Sequence, residues 1–135
     1  MLLPTLFPTS LLSVEVGSRV LHEPTPTVGI TVTSEDFGPW NTDFEYGVDL
    51  MGPYKDDSNT IQLRAQLVKS FRYFDAGVGF YYLNHDLPIV CDLGFHLLGR
   101  VKFTDNISLQ WRHSSTADLC YPNSGMDLLT LNIKF

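Results

Sequence analysis

Apolar and polar residues alternate along almost the whole of this chain, and helical periodicity is hard to find anywhere in it. A period of two belongs to strands whose two faces meet unlike surroundings, so the pattern restricts the chain to an all-β fold. Eight such runs can be read. In the first, Val14, Val16, Ser18 and Val20 oppose Glu15, Gly17 and Arg19; in the second, Val28, Ile30 and Val32 oppose Thr27, Gly29 and Thr31. The third sets Phe44, Tyr46, Val48 and Leu50 against Asp43, Glu45 and Asp49, and the fourth sets Ile61, Leu63, Ala65 and Leu67 against Gln62, Arg64 and Gln66. The fifth sets Phe74, Ala76, Val78, Phe80 and Tyr82 against Asp75, Gly77, Gly79 and Tyr81. The sixth sets Ile89, Cys91, Leu93, Phe95 and Leu97 against Asp92, Gly94, His96 and Arg100. Ile107, Leu109 and Trp111 oppose Ser108, Gln110 and Arg112 in the seventh, and Leu129, Leu131, Ile133 and Phe135 oppose Thr130, Asn132 and Lys134 in the last. Turn residues bound each run.

A soluble sandwich or a lipocalin-like barrel would alternate too, with its apolar face inward. Content separates the cases. The polar face mixes Asp, Glu, Arg, Gln, His and Gly, which suits the paired interior of a small barrel. The opposite face is almost uncharged over lengths near the roughly 9–11 residues that a tilted strand needs to cross a bilayer. Eight strands also make the smallest usual barrel of that kind, and closure leaves no strand edge unpaired in lipid. Leu129, Leu131 and Ile133 lead to Phe135 at the end of the chain, a pattern that resembles the assembly signal of bacterial outer-membrane barrels. The expected fold is therefore an eight-stranded antiparallel up-and-down β-barrel of outer-membrane type. Its 135 residues form one domain, with residues 1–11 as an N-terminal extension and 12–135 as the barrel.

Composition removes other classes. With 44% hydrophobic and 18% charged residues the chain is neither disordered nor a charge-rich helical bundle. A net charge of -6 and nine unclustered Lys and Arg residues argue against nucleic acid as a partner. Cys91 and Cys120 are too few for a disulfide scaffold and lack the spacing of a zinc site, so no metal or other cofactor is expected. Met1–Leu12 is apolar but contains Pro4 and Pro8, and it lacks the basic residues and cleavage site of a secretory signal. Either such a signal has been removed or the chain is delivered by another route.

With both termini on the periplasmic side, the inner turns fall near Ser34–Trp40, Ser70–Tyr73 and Phe103–Asn106. The outer loops are then Leu21–Pro26, Met51–Asn59, Asn84–Pro88 and Ser114–Gly125. Around the last of these, His113 and Ser115 continue the outward parity of Trp111, and Asp127 shares that of Leu129. Three polar groups thus project from an apolar face at the rim of adjacent strands, where an ionisable residue is expensive and functional by default. Residues two apart on a strand lie roughly 6–7 Å apart between Cα atoms, within reach of His and Ser side chains. In a hydrolase Ser115 would attack an ester carbonyl, His113 would relay the proton, and Asp127 would orient the imidazole. Backbone N–H groups after Ser115, including that of Thr116, and the Asn123 side chain are the available oxyanion donors.

The pattern His113-x-Ser115-x-Ala117, followed by Pro122-Asn123-x-Gly125-x-Asp127, resembles that of the outer-membrane lipid A 3-O-deacylases of the PagL type. The resemblance implies an eight-stranded barrel with a lipid-exposed triad that removes an ester-linked acyl chain of lipid A without a metal. It maps the His and Ser onto His113 and Ser115 and the acid onto Asp127. Its partners would be lipopolysaccharide and the bacterial outer membrane, and a homodimer is compatible with it. The motif covers residues 113–127; upstream the likeness is one of layout. Two departures stand out: Asp127 replaces the usual Glu, and Thr116 replaces the Asn that usually follows the serine.

Several other features have structural explanations. Gly77-x-Gly79 lacks the rest of a nucleotide-binding fingerprint and fits close packing in the barrel wall. Asp43, Glu45, Asp49, Asp75 and Asp92 with Arg19, Arg64, Arg100, Arg112 and His96 fit a paired interior network better than a pore, because eight strands leave an interior just filled by side chains. Lys55, Asp56 and Asp57 suggest a cation site or plain loop solvation. Trp40, Tyr54, Tyr73, Tyr81, Tyr82 and Tyr121 fall near strand ends, where aromatic girdles sit. The topology brings Cys91 and Cys120 to one end of the barrel, where a disulfide and two free thiols both fit. The contrasting function is a non-catalytic barrel that serves as a structural or interaction component, for instance of a phage virion.

Overall fold

The computed structural model describes residues 10–20, 24–35, 39–52, 59–84, 93–115 and 125–135. Eight strands run in chain order: β1 Ser10–Val20, β2 Thr25–Ser34, β3 Asp43–Met51, β4 Thr60–Ser70, β5 Phe74–Leu83, β6 Leu93–Lys102, β7 Ile107–Ser115 and β8 Met126–Lys134. Each pairs antiparallel with its neighbours in sequence, and β8 returns to β1 to close the barrel. Within the described residues the eight alternating runs coincide with these eight strands, and Ile89 and Cys91 of the sixth run lie outside them. Pairing extends several of them into segments expected as loop: Thr25 and Pro26 pair with Arg19 and Ser18, and β7 continues to Ser115. β1 begins at Ser10, inside the segment assigned to the extension, because its pairing with β2 reaches Ser34. Closure is completed at the chain end, where the Phe135 N–H donates to the Leu12 carbonyl at 2.9 Å.

Side chains separate by parity. Val28, Ile30, Val48, Leu50, Ile61, Leu63, Val78, Phe80, Leu93, Leu97, Val101 and Leu129 are exposed on the outer wall. So wide an apolar surface is one that water does not favour and a lipid or protein partner does. Inside stand the ionised groups. Arg64 grips Asp49 with two bonds, Nε to Oδ2 at 2.6 Å and Nη2 to Oδ1 at 2.8 Å, and reaches Glu15 at 3.2 Å. Arg112 donates to Asp49 at 3.0 Å, and Arg100 donates to Glu45 at 2.8 Å and Asp75 at 3.1 Å. Gln66 and Gln110 tie Glu45 and Glu15 into the same mesh, and His96 Nε2 meets Gln66 Oε1 at 2.6 Å. Charges withdrawn from water persist when paired and hydrogen-bonded in this way.

The interior is not polar throughout. Met51, Tyr81, Leu83, Met126 and Leu128, all with lumen parity, form a buried apolar cluster near the end where β7 leaves and β8 begins. Tyr81 therefore belongs to this plug and not to an aromatic girdle, whereas Trp40, Tyr73 and Tyr82 do lie on the outside. Gly79 sits where a Cβ would meet the Ala65 carbonyl oxygen at 2.2 Å, so it is a packing glycine of the wall. At the opposite end the β2–β3 connection includes a short turn at Pro39–Asn41, where Trp40 and Asn41 adopt φ of 55° and 57°. Lys69 Nζ anchors it by donating to the Trp40 carbonyl at 2.8 Å. Cys91, Cys120, Asp92, Lys55, Asp56, Asp57, Tyr54 and Tyr121 lie outside the described residues.

Candidate functional site

The register of β7 on β8 sets the site. His113 pairs directly with Asp127, and Trp111 pairs with Leu129. Because facing residues on paired strands share one side of the sheet, His113 and Asp127 both emerge on the outer wall, with side chains in reach of each other. His113 Nδ1 lies 2.9 Å from Asp127 Oδ1. A carboxylate offers only lone pairs, so Nδ1 carries the hydrogen and donates it, and in the neutral imidazole the ring's lone pair is on Nε2.

Asp127 is more enclosed than its parity suggests, with its side chain 9% exposed against 35% for His113. Trp111 accounts for part of the difference. Its indole Nε1–H donates to the same Oδ1 at 3.0 Å, and its ring stacks beside the imidazole with centroids 6.0 Å apart and 21° between planes. Gly125 lies close to the imidazole. At φ 89° it holds a conformation that favours glycine, and a Cβ there would come within 2.8 Å of His113 Cε1.

Ser115 follows His113 by two residues on the same face and is half-buried. The two side chains stand at one end of a groove of about 660 Å³. Its remaining outward-facing walls are Phe44, Ala65, Leu67, Val78, Phe80, Phe95 and Leu97, contributed by β3, β4, β5 and β6. Phe80 and Phe95 pair across β5 and β6 and tilt against each other at 5.4 Å. From Phe44 to His113 the groove crosses four interstrand spacings, roughly 19 Å at about 4.8 Å each. Its lining is apolar along its length, with His113 and Ser115 as the polar groups at one end.

Of the residues singled out in the sequence, His113 and Asp127 are hydrogen-bonded, and Ser115 lines the same groove as His113. Thr116 and Asn123, the expected oxyanion donors, lie outside the described residues. The alternation makes Trp111 a wall residue; its bond to Asp127 depends on register and rotamer, which the alternation does not fix. Among the described residues no three His, Cys, Asp or Glu side chains converge as a metal site.

No model of a known protein family matches this sequence, and no curated protein matches it. Among solved structures, that of the outer membrane enzyme PagL is similar, with a TM-score of 0.73 at 16% sequence identity, covering 94% of this chain and 99% of that one. The likeness is one of fold: a closed, all-antiparallel eight-stranded barrel.

Proposed function

We propose that this barrel is a serine esterase of the bacterial outer membrane that hydrolyses an ester-linked acyl chain of lipid A in the outer leaflet. The observation that carries the reading is the 2.9 Å His113–Asp127 bond on the outward apolar wall, at the head of a chain-shaped groove that Ser115 also lines. A hydrogen-bonded His and Asp on such a face contribute nothing to a membrane anchor and cost solvation, so chemistry is the economical explanation.

In the proposed reaction Ser115 Oγ attacks the ester carbonyl while His113 Nε2 takes its proton. Asp127 accepts the Nδ1–H bond, fixes the tautomer and stabilises the imidazolium. His113 then gives the proton to the leaving sugar oxygen, and the acyl group remains on Ser115. Water attacks that ester with His113 again as base, releasing a fatty acid and restoring the serine. Thr116 N–H and the Asn123 side chain are the candidates for holding the oxyanion. The groove gains little from transferring a chain that is already in hydrocarbon, so its part is to align the ester over Ser115 by shape.

Lipid A incubated with the detergent-refolded protein and analysed by mass spectrometry tests this. Wild type should release one hydroxyacyl chain, and Ser115→Ala should release none. If folded wild type leaves lipid A intact, the barrel is a non-catalytic component.

A further inference from the structure

We propose that Trp111 is a positioning residue for this site: its indole N–H and the His113 ring together clamp the Asp127 carboxylate, so that the acid is held by two donors and not one. The inference deepens the esterase reading and rests on it. Three observations carry it. An outward-facing tryptophan on a lipid-exposed wall ordinarily turns its N–H toward interfacial water. Here it is aimed at Asp127 Oδ1, 3.0 Å away, the same oxygen that His113 Nδ1 meets at 2.9 Å. Second, the carboxylate is nearly enclosed, and an anion withdrawn from water must be satisfied by protein donors. Third, the indole stacks beside the imidazole, with centroids 6.0 Å apart and 21° between planes, so the two rings that carry the donors pack on each other.

The geometry has a chemical consequence. With His113 as its one donor, the short Asp side chain could turn about its own bonds and take the imidazole with it. Donors from positions 111 and 113 of one strand approach a single oxygen from two directions, which fixes the carboxylate and through it the plane of the ring. Trp111 thus acts through Asp127 and does not touch the reacting ester.

The test compares Trp111→Phe, Asp127→Asn and the double variant, each checked for a folded barrel by its heat-dependent gel mobility. Trp111→Phe keeps the ring and loses the N–H. It should lower kcat about tenfold with KM changed less than about twofold, and cause no further loss in the Asp127→Asn background. An unchanged kcat, or the same tenfold loss without Asp127's carboxylate, would overturn the proposal. A second readout needs no turnover: the 15N-labelled indole N–H resonance of Trp111 should shift on Asp127→Asn while that of Trp40 stays still. If it shifts but wild type hydrolyses nothing, the clamp stands and the esterase reading fails. If hydrolysis occurs and the resonance does not respond, the clamp alone fails.

Discussion

Replacing Arg64 by Met removes the residue that joins β1, β2, β3 and β4 across the interior. Arg64 is buried and donates to Asp49 at 2.6 and 2.8 Å, to Thr31 at 2.8 Å and to Glu15 at 3.2 Å. Without it the nearest cation to both buried carboxylates is Arg112, which reaches Asp49 at 3.0 Å but Glu15 only at 3.6 Å. Breaking a buried pair in this way costs about 3–5 kcal/mol, most of it the penalty of an uncompensated charge. With a urea dependence of about 2 kcal/mol per molar, the unfolding midpoint should fall by about 2 M. Urea titration of the barrel in detergent would follow the fluorescence of Trp40 and Trp111, both exposed on the outer wall. Arg64→Met combined with Asp49→Asn restores the charge balance and should recover at least half of the loss. A loss under about 1 kcal/mol for the single variant, or no recovery in the double, would mean that water solvates these charges and the mesh is not dry.

Two further outcomes test the site and the wall. Gly125→Ala forces a side chain into positive φ and against the His113 ring; it should cost about 1–3 kcal/mol of stability, and deacylation should fall by at least tenfold, assayed on the folded fraction. Val78→Arg places a charge at the middle of β5, where Val78 is 57% exposed on the outer face. In liposomes it should lower unfolding free energy by about 2–4 kcal/mol, and a cost near zero would mean that this face is not in lipid.

Strand number, order and facing were legible because period-two alternation survives in every strand, and a one-residue error would have inverted a whole face. Alternation does not say what fills the interior. Met126 and Leu128 share parity with Thr130 and Asn132, yet they belong to an apolar plug, and Tyr81 joins them from β5. At the site, parity alone placed His113, Ser115 and Asp127 on one wall. That His113 faces Asp127 and not its neighbour two residues on depends on the register of β7 against β8, which the long intervening segment leaves free in the sequence. The Trp111 bond lies one step further, since it needs both that register and a rotamer.

The position of the groove on the outer wall of the barrel decides how the concentration of the proposed ligand is to be counted. On the proposed reading a long-chain ligand would arrive by diffusing within a leaflet, in two dimensions, with its polar end toward the rim that carries His113 and Ser115. The quantity that governs encounter is then its mole fraction among the surrounding amphiphiles, not its amount per volume of water. Adding inert lipid would slow such an encounter at constant total ligand, and adding buffer would not.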